Sequence, residues 1–502
     1  VELKWAVGGA ATNFTVCIEY SPDNGLIWTN IVCGWPANAG SYLWDSVPYG
    51  RSAQGLWRAY CVENETILAS AIAPFTLRNG GTIPYYVNDS HTNGDVYCTA
   101  IGDNANNGLT PATPKASLQA ILDVYELAPE DVVYVDAGTY VAGSPPITIN
   151  QTDSGWSNRY VTIQGSTNPL MATTFVAPSF AAPSVFSLQY AVNVRLKNLA
   201  ISNASVGVES YQTIGCELDG VRIANNSVAG LNLSKSENFR MLRSELWKNE
   251  DGAGGGSAVS LGQSSVAIEN SVLWGSPIAV IAGNGGTLTV TNSVLEADGP
   301  GGRIYLFTVS ASAASGFQGD YNNYSRKNGA LICEQQIITG GSDLYNDLID
   351  WSALNSSDRH SMAIDPAFAN EIYGDFHPKS TQGRFSGGSW FVDTVLSPLV
   401  DAGAPSWPSG DEPDPNGGYI NIGAYGNTQQ ASMTQTNPPW LRAISCNEPG
   451  TLSGSTLLYW LHGGMDAGTL VRLDYSTDYE VSWHSIASNV PVGSRQYQWD
   501  VS

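Results

Sequence analysis

Arg195, Lys197, Arg222, Lys235, Arg240, Arg243 and Lys248 crowd one stretch of a chain that has only 22 lysines and arginines among 502 residues. Basic side chains gathered near carboxylates suit one reaction in particular, removal of the proton beside a uronate carboxylate. That chemistry needs a group to take the proton and a cation, Arg or Ca²⁺, to neutralise the substrate acid. Lys197, Arg222, Arg243 and Lys248 are the candidate catalytic residues for it. Hydrolysis would instead need paired carboxylates on neighbouring coils. Glu217, Asp219, Glu245, Glu250 and Asp251 qualify by proximity alone and match no motif. The competing reading is a solvated basic face with structural ion pairs.

Two loops carry oxygen ligands at spacings that suit Ca²⁺. Asp103, Asn104 and Asn106 precede Gly108, and Asp411, Asp414 and Asn416 precede Gly417. Neither has the terminal bidentate Glu of an EF-hand, and Asx-rich turns that bond their own backbone are the alternative. Asn-x-Ser/Thr occurs at several sites, of which Asn355 sits in a loop-like context suited to glycosylation. The five histidines are far apart and no Cys-x-x-Cys occurs, which argues against structural zinc.

The elements that must hold these residues are short strands. Leu199, Val221, Leu246, Val272 and Val294 mark Val- and Ile-rich strands that recur after 22, 25, 26 and 22 residues. A strand period in this range predicts a parallel β-solenoid whose coils bury their faces only by stacking. Leucine-rich repeats share the length but have a leucine framework that is absent here. With Leu199, Val221 and Leu246 in register, Lys197 and Asp219 share a column, and Arg222 lies under Trp247. Asn270 and Asn292 share another column. Ser117–Leu127 reads as an amphipathic helix, with Ser117 as N-cap and Pro129 beyond its end, placed to cap the solenoid.

Two flanking modules share one sequence frame. Shifting by 455 residues carries Trp5, Trp28 and Trp44 onto Trp460, Trp483 and Trp499, and Tyr20-Ser21 onto Tyr475-Ser476. Alternating short strands to about Arg78, with the hairpin signal Asn24-Gly25, suggest an immunoglobulin- or fibronectin-like sandwich whose tryptophans lie in the core. Cys17, Cys33 and Cys61 fall in the first module, where one disulfide is expected without a choice of pair. At the shifted positions Cys17 and Cys33 become Arg472 and Ser488, so no bridge is shared. The second copy stops before any counterpart of Pro48–Leu77, which reads as one period of a longer tandem array with an incomplete end module. The expected organisation is residues 1–82 sandwich, 83–431 β-helix with the cap at 117–127, and 432–502 linker and partial second sandwich.

Three segments carry a family resemblance. Tyr86-Val-Asn-Asp89, Gly102–Pro114 and Val133–Tyr140 together resemble the opening of bacterial right-handed parallel β-helix proteins of the pectin-lyase-like kind. Gly374–Thr381, Ser397–Gly403 and Asn421–Gly426 resemble the choice-of-anchor segment that ends such domains. The resemblance implies an all-β chain, a right-handed parallel β-helix between sandwich modules, and an extracellular or cell-surface setting. It implies little about chemistry, because this fold hosts lyases, hydrolases, adhesins and scaffolds.

The net charge of −23 disfavours nucleic acid and anionic membranes as partners, and no apolar run is long enough to span a bilayer. The leading expectation is a structural or adhesive unit of a surface fibre, bound to copies of itself head-to-tail. A secreted polysaccharide lyase is the alternative, with Ca²⁺ as its conceivable cofactor. A carbohydrate-binding solenoid is the third reading.

Overall fold

The computed structural model describes residues 1–46, 49, 51–77, 82–142, 144–252, 255–283, 285–309, 316–448, 451–452 and 454–501. It contains two compact units. One comprises Val1–Thr92, Tyr97–Val135 and Thr152–Ile163; the other comprises Asn93–Val96, Asp136–Gln151 and Gln164–Ser502.

The second unit is built on a parallel β-helix, as the strand period predicts. Successive coils add one strand to each of three parallel sheets; Val194–Lys197, Leu199–Ser202 and Val206–Tyr211 form one such coil. The first of these strands lies in sheet one, the second in sheet two and the third in sheet three. The interior is a set of stacked aliphatic columns. Ile201, Ile223, Leu246, Leu273 and Leu295 are successive partners along sheet two, and all are buried. Burial of each such side chain is worth about 1.5–3 kcal/mol.

Turning from sheet one to sheet two takes a left-handed backbone residue in five successive coils. Asn198, Gly220, Arg243, Asn270 and Asn292 occupy this corner with φ of 52°, 66°, 48°, 43° and 52°. Asn and Gly enter that conformation at little cost; Arg243 is the exception in the column. Beside the corner a buried ladder ties the coils together. Ser244, Ser271 and Ser293 each accept, on Oγ, the backbone N–H of Val221, Ser244 and Ser271 in turn, and Asn322 continues it by accepting from Ser293.

Pairing confirms the column of Lys197 with Asp219 but corrects the one above it. Arg222 pairs with Glu245 and Ile223 with Leu246, so Trp247 lies over Ala224 instead. The expected register is two residues out. A shift of two preserves the alternation of inward and outward side chains, so the hydrophobic pattern does not distinguish the two registers.

After Tyr345 the coils give way to the helix Leu348–Asn355, so Asn355 lies at a helix end and not in a loop; Asp347 caps it by accepting from Asp350 N–H at 2.9 Å. The segment that follows packs back onto the flank of sheet two, where Phe368, Phe376, Leu399 and Ile422 bury against Val272, Trp274 and Val294. Asn270 and Asn292 anchor it. Asn270 Nδ2 donates to the Asn421 carbonyl at 3.0 Å, and Asn292 Oδ1 accepts from Ala404 N–H at 2.8 Å.

In the first unit, Ser117 caps its helix as expected, accepting from Ala120 N–H at 3.3 Å, but the helix is only Leu118–Leu122. Asp123 and Tyr125 still bond back to the Gln119 and Ile121 carbonyls, but no regular helix continues to Leu127, and Tyr125 donates its hydroxyl to the Asn107 carbonyl. The first module centres on Thr15–Ser21, paired antiparallel with Thr29–Pro36 and Ser52–Cys61. Tyr20 and Trp44 lie in its core, whereas Trp5 and Trp28 are only half-buried. Its disulfide joins Cys17 to Cys33, leaving Cys61 as a buried thiol.

The duplicated segment keeps its geometry at the shift of 455. Trp5 Nε1 donates to the Ala37 carbonyl at 2.9 Å, and Trp460 Nε1 donates to the Val492 carbonyl at the same distance. Tyr20 and Trp44 lie 5.0 Å apart, Tyr475 and Trp499 5.1 Å. Glu2–Lys4 pairs with Ser41–Leu43 in the same register as Leu457–Tyr459 with Gln496–Gln498.

Candidate functional site

The corner between sheets one and two places three of the four candidate bases together. Lys197 is the last residue before the turn, Arg243 is the turn residue of a higher coil, and Arg222 follows the turn of the coil between them. All three line one cavity of 570 Å³, with Asp219 and Glu245 from the same columns. The opposite wall comes from the returning segment, through Tyr373, Asp375, His377 and Tyr425.

Two ion-pair groups organise the helix wall. Arg222 Nε donates to Glu245 Oε2 at 2.5 Å, and its Nη2 reaches the Gly374 carbonyl. Gly374 has φ +76°, and a Cβ there would stand 2.9 Å from the Trp247 ring, so only glycine brings this carbonyl so close. The Glu245 charge, against the opposing effect of burial, fixes Arg222 in its charged form, above even its ordinary basicity. The second group shares one carboxylate between two cations. Arg243 donates to Asp219 Oδ1 at 3.0 and 2.6 Å, while Lys197 Nζ stands 3.6 Å from Oδ2. Asp219 is thus already matched by Arg243, and Lys197 contributes a surplus positive charge at the more exposed end, with 37% of its side chain accessible.

On the facing wall, His377 Nδ1 meets Asp375 Oδ1 at 2.6 Å and the imidazole stacks on Tyr425 at 3.5 Å. Burial works to raise the Asp375 carboxyl, but the His377 hydrogen bond and charge and Arg384 outweigh it and hold the carboxyl below its usual range. Tyr425 goes the other way. Burial, then the Glu245 charge, pushes its phenol well above the usual value.

Lys248 stands apart. It follows the strand Glu245–Trp247 at the next corner, where its ammonium donates to the Ile372 carbonyl at 3.1 Å and lies 4.7 Å from the Trp247 ring centre. The cation–π contact on Trp247 is therefore made by Lys248 and not by Arg222. Glu217 is likewise outside the cavity, clamped between Arg195 and Arg240 at 2.6 and 3.1 Å. The sequence reading missed the wall carrying Asp375 and His377. The short spacing of Asp375-Phe-His377 is the one local sign that they act together.

The calcium loops are engaged internally. The Lys115 ammonium donates to the Asn104 and Asn106 carbonyls at 2.9 and 2.7 Å, and Asn104 Oδ1 accepts from Ala116 and Ser117 N–H. Asp103 Oδ1 accepts from Ala105 N–H. Lys115, itself buried, brings to those oxygens the positive charge that a metal would supply. In the second loop Asn416 Oδ1 accepts from Gly418 N–H, and the backbone of Asp411 is tied to Asn427 and Gln429. Asp414 precedes a cis proline. Among the described residues no group of three His, Cys, Asp or Glu side chains converges as a metal site. Asn355 ends the helix Leu348–Asn355, and its side chain lies outside the described residues. No described helix is long and apolar enough to cross a membrane.

A family model described as "Disaggregatase related" matches residues 256–403. No curated protein matches the chain. Among solved structures, the chain is similar to the pectate lyase Pel9A at 14% identity and TM-score 0.37, over 68% of this chain and 97% of that one. It is also similar to an alginate lyase from Paenibacillus sp. str. FPU-7 at 14% identity and TM-score 0.28, over 46% and 95% of the two chains. Jun a 1, the major allergen of cedar pollen, matches at 13% identity and TM-score 0.29, over 49% and 68%. These are likenesses of fold.

Proposed function

We propose that this chain binds an acidic polysaccharide in the corner cavity and cleaves it by elimination. The observation that supports this most is the convergence of Lys197, Arg222 and Arg243, with one positive charge more than the adjoining Asp219 and Glu245 neutralise. Arg243 holds the uronate carboxylate, and the amine of Lys197 takes the proton beside it. The electron pair left behind forms the carbon–carbon double bond, and the glycosidic oxygen departs and picks up a proton. Arg222, locked to Glu245, positions the wall. The Cys17–Cys33 bridge fits an oxidising compartment, in keeping with work outside the cytosol.

The test is the ultraviolet absorbance of unsaturated uronate on incubation with polygalacturonate, alginate and other acidic glycans. Activity that vanishes in Lys197→Ala supports the reading; silence with every acidic glycan refutes it. A second reading, a structural repeating unit of an extracellular fibre, is favoured by the reproduction of one module's hydrogen bonds in the other. Head-to-tail filaments in electron micrographs of the purified chain would support it, and a strictly monomeric chain would count against it.

A further inference from the structure

A hairpin of Arg384–Ser386 and Ser389–Phe391 borders the corner cavity through Phe385, Ser386 and Gly387. Ser386 pairs with Ser389, so Gly387 and Gly388 alone make the turn, at φ 55° and 83°. A two-residue hairpin turn with positive φ at both positions suits glycine. The base of the hairpin is clamped. Asp393 accepts from Arg384 Nε and Nη2 at 3.0 and 3.3 Å and from the Ser380 N–H at 2.9 Å. Arg384 also stands 3.7 Å from Asp375, the partner of His377, so the hairpin is tied to that wall.

Its side chains are largely aromatic. Phe385 and Trp390 pair across the two strands, with ring centres 5.5 Å apart. The Phe385 ring lies 6.3 Å from His377, which in turn stacks on Tyr425. Tyr425, His377, Phe385 and Trp390 thus form a series of neighbouring rings that leads from the cavity wall to the surface. At its outer end Trp390, Phe391 and Val392 are 41%, 51% and 73% exposed. Adjoining exposed apolar side chains at the mouth of a cavity mark a ligand surface, where scattered single ones would not.

A ligand for this surface must suit both ends of the series. Lys197 and Arg243 line the same cavity as Phe385 and favour an anion, whereas the Trp390 indole favours an apolar face. A chain of pyranuronates offers both, with carboxylates on the ring edges and C–H bonds on the ring faces. We propose that the hairpin is a sugar-stacking subsite for an acidic polysaccharide. With one uronate held at Arg243, the chain leaves the cavity past Phe385 and lays a later ring on Trp390. The subsite rests on the acidic-polysaccharide reading of the cavity and adds a requirement for length: the site takes a polymer and not a lone uronic acid.

Hydroxyl-radical footprinting of the full chain, read by mass spectrometry, tests this with hexagalacturonate, hexamannuronate and free galacturonate. At least one hexamer is expected to shield Phe385 and Trp390, while galacturonate at equal concentration leaves Trp390 open. Trp390→Ala should raise the hexamer concentration that half-shields Phe385 about tenfold, the worth of one aromatic stack, and Trp390→Phe should recover most of the loss. The footprint of the parent chain needs no variant, so a misfolded Trp390→Ala cannot obscure the result. Turnover of a hexamer without shielding of Trp390 overturns the subsite and leaves elimination standing. Shielding without turnover supports the subsite and counts against elimination. No shielding by either hexamer, or equal shielding of Trp390 by galacturonate, overturns the proposal.

Discussion

Lys197→Ala and Arg222→Ala should separate chemistry from architecture in the corner cavity. Lys197 is the outer and looser of two cations on Asp219, at 3.6 Å with 37% of its side chain exposed, and Arg243 keeps that carboxylate paired when Lys197 is gone. The stability cost should therefore be that of an exposed pair, about 1 kcal/mol or less. Arg222 is different because of its partner. Glu245 is only 6% exposed, so Arg222→Ala strands a buried carboxylate and leaves the Gly374 carbonyl without its donor. Breaking such a pair costs about 3–5 kcal/mol, and the half-exposed guanidinium favours the low end, about 3 kcal/mol. Urea denaturation reads the two stabilities, and unsaturated-uronate absorbance reads the activity. Elimination at this cavity predicts that both variants are inactive while only Arg222→Ala unfolds early. Full activity in Lys197→Ala at wild-type stability would refute the assignment of the base. Equal urea midpoints for Arg222→Ala and the parent would refute the ion-pair argument.

Arg243→Asn relieves the left-handed corner at φ 48° but removes both hydrogen bonds to the buried Asp219, leaving it only Lys197 at 3.6 Å, so the variant should lose stability along with elimination activity; retained activity would show that Arg243 neutralises nothing. Glu412 is buried, which raises its pKa to about 7 although the Asn421 and Asn427 amides oppose the shift. A raised carboxyl stabilises the fold below its unfolded value near 4.5, and that stability is lost as pH rises through about 7. The span corresponds to about 3 kcal/mol. Glu412→Gln should therefore flatten stability across this window, and an unchanged slope in pH-dependent melting would refute it. Lys115→Met should lower the melting temperature by stranding the Asn104 and Asn106 carbonyls, with partial rescue by added Ca²⁺. A parent protein stabilised by Ca²⁺ to the same degree would show that the lysine does not stand in for a metal.

The β-helix was legible because its signal is local and repeated. Inward Leu, Ile and Val return at each coil, and Asn or Gly punctuates most corners. What escaped was everything fixed at long range. The second wall of the cavity lies about 150 residues beyond the first, since Arg222 and Gly374 are 152 apart, and no periodicity connects them. Lys248 shows the complementary failure. It is five residues from Arg243 and also cationic, but the three-residue strand Glu245–Trp247 carries it to the next corner. In the first calcium loop the competing group lies outside the motif: Asp and Asn at those spacings serve Asx turns as well as metals, and Lys115 holds the Asn104 and Asn106 carbonyls.

The duplicated module shows where such reasoning stops. Matching residues reproduce matching hydrogen bonds, because Trp5 and Trp460 meet carbonyls that lie within the repeated segment itself. Burial does not follow in the same way. Tyr20 and Tyr475 share a position, a strand and an aromatic neighbour, yet one is sealed and the other half open. In the first copy the closure comes from Ser52–Cys61, which pairs along Thr15–Ser21 and lies beyond the stretch matched at the shift of 455. Contacts made within the matched stretch are thus fixed by it, whereas burial depends on the strands packed around it.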